Sequence, residues 1–320
     1  MEMDFKSVSI IFYMNNTDKK KKVARLSVAS NTFLVVSKLI IGLMIGSISV
    51  ISEAIHSSVD LLAAGIALFA VKNSSIPADD EHRFGHGKIE NISGFVEALL
   101  IFLAAIFIIY ESIKKLIHPV PIETIGFGIL IMFFACVLNF YVSRMLAKTA
   151  KETDSIALKA DAMHLTTDIY TSLGVMLGLF LIWILETIFK GHHFHWIDPV
   201  TAIIVALMII KAAYNLTMEA LGDLMDSSIT KKSLDDISEI ISSNKYIKSF
   251  KNLKTRKAGN KIFIEFDLVF NNEILLKDAH TITDDITNMI KAKYDADVIV
   301  HMEPCEDKCI NDCEDNCKVE

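Results

Sequence analysis

Positive charge is in short supply in this chain. Against 39 Asp and Glu there are 32 Lys and Arg, a formal net charge of −7, which argues against a nucleic-acid-binding surface. Cysteine is almost missing from the body of the sequence. Cys136 stands alone, and Cys305, Cys309, Cys313 and Cys317 crowd into the end of the chain. A disulfide framework distributes its cysteines through the fold it staples, so none is expected here. The opening residues lack a short apolar core followed by a small-residue cleavage site, so no secretory signal peptide is expected; the apolar stretch 8–14 is too short to span a bilayer. His-Glu-x-x-His, the helical spacing of zinc proteases, does not occur, which argues against an intramembrane metalloprotease.

What is abundant is apolar surface. Hydrophobic residues make up 52% of the 320 positions, and mean hydropathy is +0.41. The excess lies before residue 222. Six segments there, 25–47, 48–72, 91–117, 121–147, 159–186 and 198–221, reach the ~20 residues needed to cross ~30 Å of hydrocarbon. Asp198-Pro199 opens the last of them as an N-cap followed by proline at the first helical position. Lys19 to Lys22, Arg25, Lys72, Arg83, Lys88, Arg144, Lys148 and Lys151 fall on one side of the resulting bundle, and Lys114, Lys115 and Lys190 on the other. The positive-inside rule makes the first side cytoplasmic and, with six spans, places both termini there. Trp196 suits the opposite interface.

Two of these spans carry the same spacing, His56-x-x-x-Asp60 and His164-x-x-x-Asp168. Helical residues i and i+4 share a face, so each span aims one imidazole and one carboxylate the same way. A central intramembrane Asp costs roughly 2.5–3.5 kcal/mol, which makes a purely packing role for both pairs expensive. Two His and two Asp form an N/O set that suits tetrahedral Zn²⁺, and structural zinc contributes on the order of 10 kcal/mol. Protons neutralise the same groups, so Zn²⁺ and H⁺ compete for the site. A site open to each side in turn would exchange one for the other.

Further clusters flank this quartet. Asp79, His82 and His86 lie on one short polar loop between the second and third spans. His192, His193 and His195 lie between the fifth and sixth, where they suit metal capture or pH sensing less well than they suit a plain interfacial loop. From about residue 227 the periodicity changes to a helix at 231–243, strands at 247–256 and 261–270, a helix at 276–294 and a strand at 297–302. Residues 257–260 (Lys-Ala-Gly-Asn) read as the hairpin turn. In the second strand Ile262, Ile264, Phe266 and Leu268 share one face, with Glu265 and Asp267 on the other. The order α-β-β-α-β predicts a small two-layer α/β domain. It carries Asp267, His280, His301 and Glu303 as dispersed candidate ligands. The tail spaces Cys305, Cys309, Cys313 and Cys317 four apart among acidic neighbours; the thiols favour Zn²⁺ or Cu⁺ and stay reduced in a cytoplasm.

Several of these stretches resemble the cation diffusion facilitator family of divalent metal exporters. They are Ser52-Glu-Ala-Ile-His-Ser-Ser-Val-Asp60, Ala78-Asp-Asp-Glu-His-Arg-Phe-Gly-His-Gly-Lys88, Asp161-Ala-Met-His-Leu-Thr-Thr-Asp168 and Trp196-Ile-Asp-Pro199. Leu253-Lys-Thr-Arg-Lys-Ala-Gly259 and Val298-Ile-Val-His-Met-Glu303 are also family-like, so the likeness covers about 22–304. The resemblance implies a homodimer in the cell membrane and alternating access with proton antiport. Together with the spans and periods above it gives four regions: a cytoplasmic segment 1–24, a six-helix transmembrane domain 25–221, a cytoplasmic ferredoxin-like, metallochaperone-like domain 222–304 and a cysteine-rich acidic tail 305–320, the tail lying outside the family's usual pattern. It assigns His56, Asp60, His164 and Asp168 to a transport site, and Asp79, His82 and His86 to a loop site. Lys88 and Asp226 match a salt bridge near the dimer interface. Zn²⁺ is then the substrate and a structural or regulatory ligand.

The chain departs from the pattern in places. His56 stands where familiar bacterial zinc/iron exporters carry Asp, and Lys251 and Asp267 stand where some members carry His ligands. The extra imidazole favours Zn²⁺ over Mn²⁺ or Mg²⁺. Fe²⁺, Co²⁺, Mn²⁺ or Cd²⁺ remain alternative cargoes, and a membrane-anchored metal sensor or store is the alternative of another class.

Overall fold

The computed structural model describes residues 5–45, 48–118, 127–188 and 196–305. His192, His193, His195, Cys309, Cys313 and Cys317 lie outside the described residues. The chain divides into two compact units, Met1–Leu221 and Gly222–Glu320.

Among the described residues the first unit holds α1 (Phe5–Ile45), α2 (Ile48–Ser74), α3 (Lys88–Ile117), α4 (Phe127–Thr153), α5 (Ile156–Ile188) and most of α6 (Ile197–Leu224), all long helices. Among the described residues, Asn16–Met44, Ala54–Ser74, Lys88–Ile117 and Pro199–Leu224 are long and apolar enough to cross a membrane. The helix α1 begins 20 residues before the predicted start of its span, so most of the expected N-terminal segment is a helical extension. That extension is held in place by Lys20, which is buried against the bundle rather than solvated with its basic neighbours.

The packing explains why such apolar sequences form a bundle. Buried positions are mostly small or polar: Ala24, Ala63, Ala67, Ala98, Ala160 and Ala220, with Ser27, Asn31 and Asn91. Large side chains such as Leu43, Leu62, Phe69, Phe107 and Met208 face outward. Lipid is as apolar as Leu, so helices in a membrane associate through close backbone approach and polar contacts, and the big residues turn to the tails. The helix α5 sits centrally, touching α2, α3 and α4. At its start the chain reverses through Asp154 (φ 48°), and the Ser155 hydroxyl caps Leu158 N–H at 3.5 Å.

The second unit is α7 (Lys231–Ser242), β1 (Ile247–Ala258), β2 (Lys261–Phe270), α8 (Leu276–Lys293) and β3 (Ala296–Pro304). Thr230 caps α7, accepting from Ser233 N–H at 3.4 Å. Sheet order is β1-β2-β3, with β1/β2 antiparallel and β2/β3 parallel across the α8 crossover. Gly259 (φ 63°) makes the hairpin turn between β1 and β2. Ile237, Ile241, Ile286 and Ile290 of the helices pack on Phe250, Ile264, Phe266 and Leu268 of the sheet. The expected α-β-β-α-β order is therefore present. The alternation of β2 is incomplete, because Phe263 and Val269 on the other face are buried too. The Arg256 guanidinium covers the Phe263 ring at 4.5 Å.

Candidate metal sites

The neighbours α2 and α5 each turn a one-turn His/Asp pair into the same cavity, of about 610 Å³. Ligand atoms of His56, Asp60 and Asp168 lie within 4.8 Å of one another. His164 joins them through its Nε2, 3.0 Å from Asp60 Oδ1. Three of the four predicted residues thus converge, and His164 lines the same cavity and reaches them through Asp60. Ligand bonds to Zn²⁺ are about 2.0–2.2 Å, so a modest contraction would bring these N and O atoms onto one ion. Asp60 and His164 are buried, whereas His56 is exposed. Among the described residues, His164 Nδ1 and Asp168 Oδ2 are buried without a hydrogen-bond partner, so the set has donor capacity to spare. The buried Lys38 of α1 lines the same cavity and donates to Ser57 Oγ at 2.8 Å.

The loop from α2 to α3 forms a second group. Asp79 Oδ1 accepts backbone N–H bonds from His82 at 2.6 Å and Glu81 at 3.1 Å. The imidazoles reach the same carboxylate, His82 Nδ1 to Oδ1 and His86 Nε2 to Oδ2, both at 3.5 Å. Their rings lie 4.4 Å apart. Gly85 (φ 81°) bends the chain between them, donating to His82 O at 2.8 Å. The His82 N–H bond, chiefly, holds the Asp79 carboxyl below its ordinary value, so it stays ionised and ready to bind a cation.

In the second unit three of the four predicted residues come together. Asp267 and His301 are register partners on β2 and β3, with His301 Nδ1 3.9 Å from Asp267 Oδ1 and 3.4 Å from Glu303 Oε1. Asn252, at φ 54° in a β1 irregularity, donates to Asp267 Oδ2 at 2.6 Å. His280 instead pairs along α8 with Asp284, at 3.1 Å. Cys305 continues the β2/β3 pairing by donating its N–H to Phe270 O at 2.9 Å. Lys88 opens α3, and Asp226 lies 3.5 Å from Arg256 Nη1 within its own unit.

Sequence reasoning missed the buried acids of α3 and α5. Glu90 accepts from Lys20 Nζ at 2.6 Å and Ser74 Oγ at 2.8 Å, and also from Ser155 Oγ, joining three helices and the turn before α5 through one carboxylate. Glu97 and Asp161 are wholly buried. The signal was the one that singled out the quartet, an ionisable residue inside an apolar span.

Two family profiles match the chain: "Cation efflux transmembrane domain" over residues 24–225 and "Cation efflux protein, cytoplasmic domain" over 229–305. The chain is similar to the cation-efflux pump FieF of Shewanella oneidensis, 29% identical over 287 residues covering 89% of this chain and 94% of that protein. The uncharacterized transporter sll1263 of Synechocystis sp. is 33% identical over 264 residues, 82% of this chain and 83% of its own length. A FieF pump of Salmonella choleraesuis is 28% identical over 287 residues, 88% and 93% of the two chains.

Proposed function

This chain belongs to the cation efflux family, whose members are transporters rather than enzymes, and from that membership we propose that it exports Zn²⁺ from the cytoplasm in exchange for H⁺. The observation that carries the reading is the convergence of His56, Asp60, His164 and Asp168 on one intramembrane cavity. Four N/O donors on two helices suit a tetrahedral ion, and the cavity supplies access. As ligands the imidazoles must be neutral and the carboxylates ionised. Arriving protons therefore expel the metal, and arriving metal expels protons. Rocking of α2 against α5, or of both against the rest of the bundle, would present the site to each side in turn.

In this reading six helices span the cell membrane, the Asp79–His82–His86 loop faces the cytoplasm, and the protein works as a homodimer through its second unit, in keeping with the cytoplasmic-domain match. The loop site and the Asp267–His301–Glu303 group, both more exposed than the quartet, hold metal for structure or delivery. His56 is the selectivity position, because it is the second imidazole that tilts the quartet toward Zn²⁺. In reconstituted vesicles an imposed pH gradient should drive Zn²⁺ uptake; uptake that persists unchanged with the gradient collapsed would contradict antiport.

A further inference from the structure

Between the quartet and the loop end of the bundle lies a second polar group. The helices α3 and α5 pack tightly there. A Cβ on Gly94 would meet Ile156 Cγ1 at 3.1 Å, and Ala98 and Ala160 are both buried in the same contact. This close approach brings Glu97 of α3 within electrostatic reach of Asp161 of α5. Both residues are wholly buried. Among the described residues, both Asp161 oxygens and Glu97 Oε2 have no hydrogen-bond partner. Glu97 Oε1 accepts only a long bond from Ser93, at 3.3 Å.

A third helix faces the pair. The Ser27 hydroxyl of α1 lies beside Asp161 without closing a hydrogen bond. Asn31, one turn further on the same face, has its amide nitrogen buried and unpartnered among the described residues. Two buried carboxylates within electrostatic reach of each other and one unpartnered hydroxyl, shut away from water, make an arrangement that a cation would complete.

We propose that Glu97 and Asp161, with the Ser27 hydroxyl, form an intermediate binding station for a divalent metal ion on its way from the cytoplasm to the quartet. The position rests on the orientation given above, in which the loop end of the bundle is cytoplasmic. Along α3, Glu97 lies seven residues, about 10 Å, inside Glu90. Along α5, Asp161 lies three residues, about 5 Å, before His164 and seven before Asp168. Glu90, wholly buried and paired with Lys20, is the first acid along α3. The acids therefore form a ladder whose innermost rung is the quartet. The donors differ along it: the station offers oxygen alone, whereas the quartet adds imidazole. A borderline-soft ion such as Zn²⁺ binds the imidazole set more tightly and so moves inward.

The test uses the full-length protein in lipid nanodiscs with the quartet disabled by Asp60→Asn/Asp168→Asn. Zn²⁺ and Mn²⁺ are titrated separately to millimolar concentration, and bound ions are counted. Adding Glu97→Gln/Asp161→Asn should remove one ion per protomer, while sites outside the membrane keep theirs. An unchanged count would overturn the proposal. So would infrared bands of protonated carboxyls assigned to these two residues that Zn²⁺ does not alter, which would make them proton holders only. Should the paired variant fail to fold, Glu97→Asp keeps the charge but shortens the reach. It should weaken one ion's binding by about tenfold, and unaltered affinity would overturn the proposal. Because the quartet is silent in this protein, the outcome is independent of whether the quartet itself carries the transported ion.

Discussion

The two units of this chain bury opposite kinds of residue. Unit 2 folds as soluble domains do, with Ile264, Phe266, Leu268, Ile286 and Ile290 inside. Unit 1 hides Ala63, Ala98, Ala160, Ser27, Glu90 and Asp161, and turns Leu62, Phe69 and Phe107 outward. Water drives the first arrangement, since each large apolar side chain removed from it contributes about 1.5–3 kcal/mol. Lipid removes that drive from the second, leaving close packing and polar contact to hold the helices. The consequence is functional. A bundle whose interior is lined by small and polar residues has room for a cavity and for ionisable groups that a dense Ile/Phe core excludes. The candidate metal group of unit 2 accordingly sits on its surface, where His301 is exposed, whereas Asp60 and His164 of the quartet are buried.

Breaking this contrast at its functional end should give the largest effect. Asp168→Ala should lower Zn²⁺ flux in vesicles about 100-fold or more, since it removes a ligand and not only its support. The protein should still reach the membrane and elute as the wild type does on size exclusion. Loss of flux without loss of folding would also exclude a pure sensor or store.

The packing contrast predicts opposite size sensitivities. In unit 2, Phe266→Ala should cost about 3–5 kcal/mol by leaving a cavity in the sheet–helix core. In unit 1, enlarging is what harms: Ala160→Leu should cost about 1–3 kcal/mol by forcing α3 and α6 away from α5. Thermal unfolding in detergent, followed by probes in each unit, checks both. A tolerant Ala160 would mean that the helices are not held by close approach.

A subtler change tests selectivity. His56→Asp should leave transport intact but raise Mn²⁺ and Fe²⁺ relative to Zn²⁺ in competition flux. An unaltered ranking would remove His56 from the selectivity argument.

The smallest effect belongs to the loop. Asp79 is kept ionised by backbone N–H bonds, so its carboxylate is retained down to more acid pH than an ordinary Asp. Asp79→Asn should weaken Zn²⁺ binding at the loop at every pH, because it removes the ligand that stays ionised, as calorimetry at a series of pH values would show. Flux should fall only slightly.

Much of this was readable in advance, for identifiable reasons. The twin His-x-x-x-Asp spacing and the one-turn geometry of a helix put each pair on one face, and the α/β order followed from alternating and amphipathic periods in 231–304. What could not be read was which polar residues turn inward. Lys20 belongs to a run of four lysines, and only the fold shows that it alone of them is buried, against Glu90. His280 reads as a ligand beside Asp267 and His301, yet its position on α8 offers it Asp284 one turn away. Glu97 and Asp161 were visible as charges in apolar spans but do not share a helix, and nothing local brings them together. Their pairing depends on Gly94, whose missing side chain lets α3 close on Ile156.

The central claim is that the quartet exchanges metal for protons. Its most direct measurement is Zn²⁺ uptake into vesicles holding the purified full-length protein, with and without an imposed pH gradient, alongside the Asp168→Ala variant. Uptake should follow the gradient, carry a counterflow of protons and vanish in the variant. Zn²⁺ uptake that ignores the gradient, or that survives Asp168→Ala, would contradict it.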